Sequence, residues 1–351
     1  MAEVWDSALM DALRNDPSDV TTWNVWLDRL RERGDPRAEI ADAGPGPGQT
    51  ALLKAHAPGW FGQSVQVDHA GVVTVEESTG AFPRISAHFR HGHILMLRVH
   101  CAASGLESNW PGAQWMPALL ERLLCQPVGC VVTELELRVA PFRWFRYEGL
   151  IEALVRAAPL PFRRIYVGDY NIDGAMVPDL PPLIEASPHL RSLTCEGQVS
   201  DLGELRHPQL RSLKLMTGGL SEPVVNSLST ADLPALEELE LWFGMRRDDN
   251  NAPLDHFRHL LTHPLPSLRR LVLANCPFAD ALLNRLHEAH WLPQLQELGL
   301  KTPLTDLGGT NLLTHAESYA HLERLDLDRH QLSHAMVRQL RQELRDTVLR
   351  A

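Results

Sequence analysis

Apolar and polar residues alternate along this chain in short bursts that return at a nearly regular distance. The stretches 208–215 (PQLRSLKL), 234–241 (PALEELEL), 266–273 (PSLRRLVL), 293–300 (PQLQELGL) and 320–327 (AHLERLDL) share one pattern, and 188–195 (PHLRSLTC) is a close variant. Each closes on apolar-x-apolar, a period of two that predicts a short strand with its leucines on one face. The central apolar residues are Leu135, Ile165, Leu193, Leu213, Leu239, Leu271, Leu298 and Leu325, at intervals of 30, 28, 20, 26, 32, 27 and 27 residues. Between strands the period shifts toward that of a helix. The run 279–287 places Leu282, Leu283 and Leu286 on one helical face, and 148–158 (EGLIEALVRAA) does the same. A strand–loop–helix unit cannot bury its apolar face alone, so the units must stack on one another. Stacking them predicts an α/β solenoid, a horseshoe with a parallel sheet on its concave face.

The ends read differently. Val4, Ala8, Leu9, Ala12 and Leu13 form one apolar stripe and Trp23, Trp26, Leu27 and Leu30 another, with Gly34 placed to end a helix and Asp35-Pro36 to open a turn. The spacing predicts a helical hairpin over 1–43. It is too short to bury a secure core of its own, so it is expected to dock on the first repeats. A Gly/Pro-rich stretch, 44–50, reads as a linker. Residues 51–128 read as an N-terminal cap containing three strands, around 65–67, 72–75 and 93–99. The repeats span 129–332, and 333–351 is predicted as a capping helix with Met336, Val337, Leu340 and Leu344 on one side.

These residues resemble two known patterns. Leu268-x-x-Leu271-x-Leu273-x-x-Cys276-x-Phe278 matches the leucine-rich repeat consensus, LxxLxLxx(N/C)xL. The array is similar to the subclass with long helical repeats that includes ribonuclease inhibitor. His330 stands at the Asn/Cys slot of the last unit, and Gly218, Gly244 and Pro303 stand there in others, so the family's Asn ladder is mostly absent. The stretch 16–40 (DPSDVTTWNVWLDRLRERGDPRAEI) resembles the small bacterial repeat-companion domain through Asp16-Pro17, Asp28, Leu30, Glu32-Arg33-Gly34-Asp35-Pro36-Arg37 and Glu39. Arg29 stands where that family has Trp, and Ala38 where it has Gly. The two resemblances imply a bacterial, non-enzymatic protein-interaction scaffold or adaptor.

Charge and cysteine content narrow the partners. With 33 Lys and Arg against 44 Asp and Glu, the formal charge is −11. This argues against a general nucleic-acid or anionic-membrane surface. The first residues carry acids where a signal peptide carries Lys or Arg, and no stretch is apolar enough to span a bilayer, so a cytoplasmic location is expected. Cys195 fills a strand position and Cys276 the Asn/Cys slot, and both read as small buried hydrophobes. The odd count of five cysteines, with no Cys-x-x-Cys pair, indicates neither a disulfide framework nor a zinc knuckle.

Candidate chemistry is sparse. His88, His91, His93 and His100 could supply metal ligands, but no acid or cysteine is well spaced beside them, and no cofactor is expected. Asp248-Asp249-Asn250-Asn251 lacks the glycine and distal glutamate of a calcium loop. Gly46-x-Gly48 and Gly308-Gly309 lack the context of a phosphate loop. The concave strand positions are more informative. Tyr166, Met216 and Trp242, with Phe243 just beyond, place amphipathic aromatics where a partner could cover them, and Glu196 and Glu240 share that face. A second aromatic candidate is 143–147 (RWFRY). The expected function is binding a protein or peptide on the concave face. Two alternatives are an inhibitor or immunity-type protein that blocks an enzyme, and an enzyme or metal protein using the histidines of 88–100.

Overall fold

The computed structural model describes residues 2–76, 84–101, 115–139, 148–168, 177, 179–244, 254–344 and 347–350. The stretches 143–147 and 248–251 lie outside the described residues. The chain divides into two compact units, 1–168 with 182–190, and 169–181 with 191–351.

In the first unit four helices precede the sheet: α1 (Ala2–Asn15), α2 (Val20–Glu32), α3 (Pro36–Ala43) and α4 (Pro47–Phe61). Local chemistry sets their bounds. The Asp19 carboxylate accepts the amides of Thr21 and Thr22 and so caps α2. Gly34 ends the following turn at φ +64°, and Asp35 caps α3 with Pro36 in its first turn. Trp23, Trp26, Leu27 and Leu30 form the buried stripe of α2. They share one core with Met10, Leu13, Ala38, Leu95 and Val131, so the helical segment docks on Leu95, a strand residue, and on Val131, which precedes the next strand.

Two expectations fail here. On α1, Ala8 and Ala12 are exposed, while Met10 is buried with Leu13. The helix is turned so that the Met10 thioether meets the Cys130 thiol at 3.2 Å. The stretch 44–50 is only partly a connection, because α4 starts at Pro47, a residue whose fixed φ suits a first helical turn.

Strands β1 (Gln66–Val67), β2 (Val72–Glu76), β3 (Arg84–Arg90) and β4 (His93–Cys101) then pair antiparallel in succession. There are four, not the three read from the sequence. The missed one, RISAHFR, carries Arg, Ser and His on its open side and shows little apolar run. After α5 (Trp115–Cys125), β5 (Glu134–Val139) joins β4 in parallel. α6 (Glu148–Arg156) and β6 (Arg164–Gly168) continue the pattern, followed by the short α7 (Pro181–Glu185).

The second unit repeats the strand–helix theme. Its elements are β7 (Ser192–Glu196), β8 (Ser212–Met216), α8 (Glu222–Ser229), β9 (Glu238–Trp242), α9 (Leu254–Thr262), β10 (Arg270–Ala274), α10 (Ala279–Leu286), β11 (Glu297–Lys301), α11 (Asp306–Thr314), α12 (Ala316–Tyr319), β12 (Arg324–Asp326), α13 (His334–Glu343) and β13 (Val348–Arg350). All pairings from β7 to β13 are parallel and in register, with Leu213, Leu239, Leu271, Leu298 and Leu325 on one buried rung. The predicted C-terminal helix stops at Glu343. Val348–Arg350 adds a final strand that its three residues could not announce.

Backbone bonds explain how a degenerate consensus keeps register. The carbonyls of Arg191, Arg211, Glu237, Arg269 and Gln296 each accept two successive amides of the next repeat, at 2.8–3.2 Å. Where the Asn ladder is missing, the Thr217 hydroxyl donates to the Trp242 carbonyl and the Thr302 hydroxyl to the Cys276 carbonyl, both at 2.8 Å. At Gly244, φ is +80° and a Cβ would sit 1.8 Å from the Gly218 carbonyl oxygen. The slot at Gly244 is therefore glycine because its Cα rests on the Gly218 backbone.

Candidate functional site

Strand alternation gives each sheet a leucine face under the helices and an outward face. On the outward face of the second unit, Met216, Trp242 and Ala274 stand side by side on β8, β9 and β10. The Trp242 indole N–H donates to Glu240 Oε1 at 2.9 Å, and Lys214 Nζ lies 3.6 Å from Glu240 Oε2. Glu240 is buried for a carboxylate, at 8% exposure, so these partners compensate its lost hydration. Trp242 is half-buried, as are Met216 and Glu196, which face each other across β7 and β8. The indole is thus pinned and partly open to solvent. Along the rung below, Arg270 and Arg324 both pair with Glu297, at 3.2 and 2.8 Å. These half-exposed pairs order the face more than they stabilise it.

Phe243 does not belong to this face. It is 1% exposed and packs on Phe257 and Phe278 at ring distances of 4.9 and 5.5 Å. The reason is parity: Leu239, Leu241 and Phe243 alternate inward, and Glu240 and Trp242 outward. Tyr166 lies in the first unit, half-buried on β6, with the Arg138 guanidinium 4.1 Å from its ring centroid. Arg138 and Arg98 both donate to Glu136 Oε2, at 3.2 and 2.6 Å. Burial opposes ionisation of Glu136, but the two guanidiniums hold its carboxyl below the usual range.

The four candidate histidines do not converge. His88 and His100 lie on the outward face, paired in register with Met96 and Arg84. His91 sits in the β3–β4 turn at φ +50°, with its ring 4.7 Å from that of Trp23. His93 is fully buried. Its Nδ1–H donates to the His91 carbonyl at 2.8 Å, which leaves Nε2 to accept from Trp26 Nε1 at 3.1 Å and Arg37 Nη1 at 3.0 Å. Arg37 in turn forms a two-pronged pair with Asp35. Burial first, and the Arg37 cation second, push the His93 pKa down to about 3. The Asp-Pro-Arg of the N-terminal signature is therefore the clamp that seats α3 on β4. Sequence reasoning missed it because the residues that meet are far apart in the chain. Among the described residues, no three His, Cys, Asp or Glu side chains gather as a metal site. Cys195 and Cys276 are buried and free, and burial raises both thiols, Cys276 to about 12.

Compared with solved structures, the chain is similar to a protein from Bacteroides fragilis, at 23% identity over 66% of this chain and 69% of that one, with a TM-score of 0.56. That likeness concerns the fold alone, and it agrees with the in-register parallel strands and their carbonyl ladder. The chain is a leucine-rich repeat solenoid. Two Listeria monocytogenes proteins match more distantly. An internalin-like protein has 17% identity over 56% of this chain and 53% of that one, with a TM-score of 0.30. An internalin has 13% identity over 73% and 86%, with a TM-score of 0.32. At such scores neither carries weight. No protein-family model and no curated protein matches. Among the described residues, the solenoid has no helix long and apolar enough to cross a membrane.

Proposed function

We propose that this protein is a non-enzymatic scaffold or adaptor that binds a protein or peptide partner on the concave sheet face of its solenoid. The observation that carries the reading is the pinned Trp242 indole, half-open to solvent and fixed by a buried Glu240 that Lys214 neutralises. Tryptophan dominates interface hot spots because it buries much area at small entropic cost, and an indole already fixed loses less on binding. Met216, Glu196 and Glu240 surround it, and Tyr166 offers a second aromatic in the first unit. The seven strands β7–β13 leave six gaps of about 4.8 Å, an inner surface roughly 29 Å wide and enough for a standard interface. A reducing, cytoplasmic compartment is part of this reading. It is supported by the free thiols of Cys125, Cys130, Cys195 and Cys276.

The test is affinity capture of the partner from native lysate, then titration of the purified partner against wild type and Trp242→Ala. Weakening by about 2 kcal/mol or more is expected for the variant. Unchanged affinity would move the interface to the helical face, the loops or the N-terminal helices.

A further inference from the structure

Three outward residues of β9 stand in one line. Glu238, Glu240 and Trp242 alternate with the buried Leu239 and Leu241, so they share a face at steps of about 6.7 Å. The Trp242 N–H is already committed to Glu240 Oε1. What the half-open indole still presents is its π face, the negative side of the ring quadrupole, and the Glu240 carboxylate at the ring edge deepens that potential. Glu238 is half-buried, and its Oε2 takes the Ser212 hydroxyl at 3.3 Å. Arg270 lies beside Glu238 in register but pairs with Glu297 on its other side, which it shares with Arg324. Among the described residues, Glu238 has no Lys or Arg within ion-pair distance. The other cations that face this line are Lys214, 3.6 Å from Glu240 Oε2, and Lys301, two strands from Trp242 along its rung. Around them the chain carries −11 overall, a field that draws cationic partners.

We propose that the Glu238–Glu240–Trp242 line of β9 receives a basic segment of the partner, in which an arginine stacks on the Trp242 indole and a second cation reaches Glu238. A guanidinium is planar and weakly hydrated, so it lies flat on an aromatic face at little desolvation cost. An extended segment laid along β9 repeats its same-face side chains at the same step of about 6.7 Å, so its positions four apart match Trp242 and Glu238. The proposal rests on the reading that the concave face binds a partner, and it names the chemistry of that partner.

The test titrates the full chain calorimetrically, at physiological salt, with a hexaarginine peptide and with hexacitrulline, its uncharged counterpart. Binding of hexaarginine but not of hexacitrulline is expected. Trp242→Leu keeps an apolar side chain and the net charge but removes the ring, and it should weaken hexaarginine by about fivefold. Glu238→Gln should weaken it severalfold. Lys214→Gln removes a competing cation and should tighten it, a gain that misfolding cannot mimic. The proposal is overturned if hexaarginine does not bind, if hexacitrulline binds as well, or if Lys214→Gln fails to tighten the complex. It is also overturned if Trp242→Leu or Glu238→Gln binds hexaarginine as wild type does, the mark of unspecific attraction to an acidic chain. The captured partner separates this proposal from the broader reading. A partner that tolerates Trp242→Leu but not Trp242→Ala makes an apolar contact, which sinks the arginine and keeps the concave interface. A partner that tolerates both sinks the concave reading, and the peptide titrations still decide this site.

Discussion

The indole N–H of Trp26 donates to Nε2 of His93, 67 positions further along the chain, at 3.1 Å. That bond, with Arg37 on the same nitrogen, requires an uncharged imidazole. The N-terminal helices are therefore fastened to β4 by a polar contact inside an apolar core, where an unmet partner is costly.

Acid should loosen this contact. The folded-state pKa of His93, about 3, lies below the ordinary value of 6.5, so the unfolded chain takes up the proton first. The stability contributed by His93 is complete above pH 6.5 and is lost as pH falls toward 3. His93→Leu should cost roughly 1–3 kcal/mol at pH 7, by leaving the Trp26 indole N–H and one Arg37 N–H without their acceptor. It should also flatten the decline between pH 6.5 and 4. Thermal unfolding of both proteins across that range checks this, and parallel curves would contradict a neutral buried His93.

The last residue of β9 and the one that follows it should behave in opposite ways. Phe243→Ala should destabilise by about 3–5 kcal/mol, because it empties a buried site between Phe257 and Phe278. Its partner affinity should hold under native conditions. Trp242→Ala should lose partner affinity with little change in stability. Denaturant unfolding beside binding titrations separates the two.

Glu240 and Trp242 should act as a unit. Trp242→Phe keeps a ring but loses the N–H that Glu240 accepts. A double-mutant cycle with Glu240→Gln should show partner-binding coupling of about 0.5–1 kcal/mol. A coupling near zero would mean that the bond does not orient the indole.

Gly244→Ala should destabilise by more than about 1 kcal/mol, since alanine is strained at positive φ and its Cβ would strike the Gly218 carbonyl. Gly48→Ala is the control, because its Cβ would meet only Ala43 at an ordinary 3.8 Å. Chemical unfolding of both reports the difference, and equal curves would refute the backbone contact.

Thiol reactivity should follow burial. Cys125 is exposed and should label first, while Cys195 and Cys276 should label only as the chain unfolds. Mass mapping after timed alkylation checks the order. Early modification of Cys276 would contradict its place under the repeat.

Leu135 through Leu325 were legible because apolar-x-apolar spacing fixes both strand and buried face, and the repeat fixes neighbours. Parity also decides Phe243, where residue type suggested a surface aromatic and strand alternation dictated the core. β3 escaped because its open face is Arg, Ser and His, and β13 because three residues carry no period. His93 reads as an ordinary polar flank, since nothing near it in the chain names Trp26 or Arg37.

The carbonyls of Arg191, Arg211, Glu237, Arg269 and Gln296, each taking two amides of the next repeat, assign the work of alignment to atoms that every residue possesses. Outward side chains are then not needed to hold neighbouring repeats in step. Such a chassis can exchange its recognition chemistry one strand at a time, as a keyboard changes its keys without rebuilding the frame. New specificity can therefore arise here by single replacements that leave the architecture untouched.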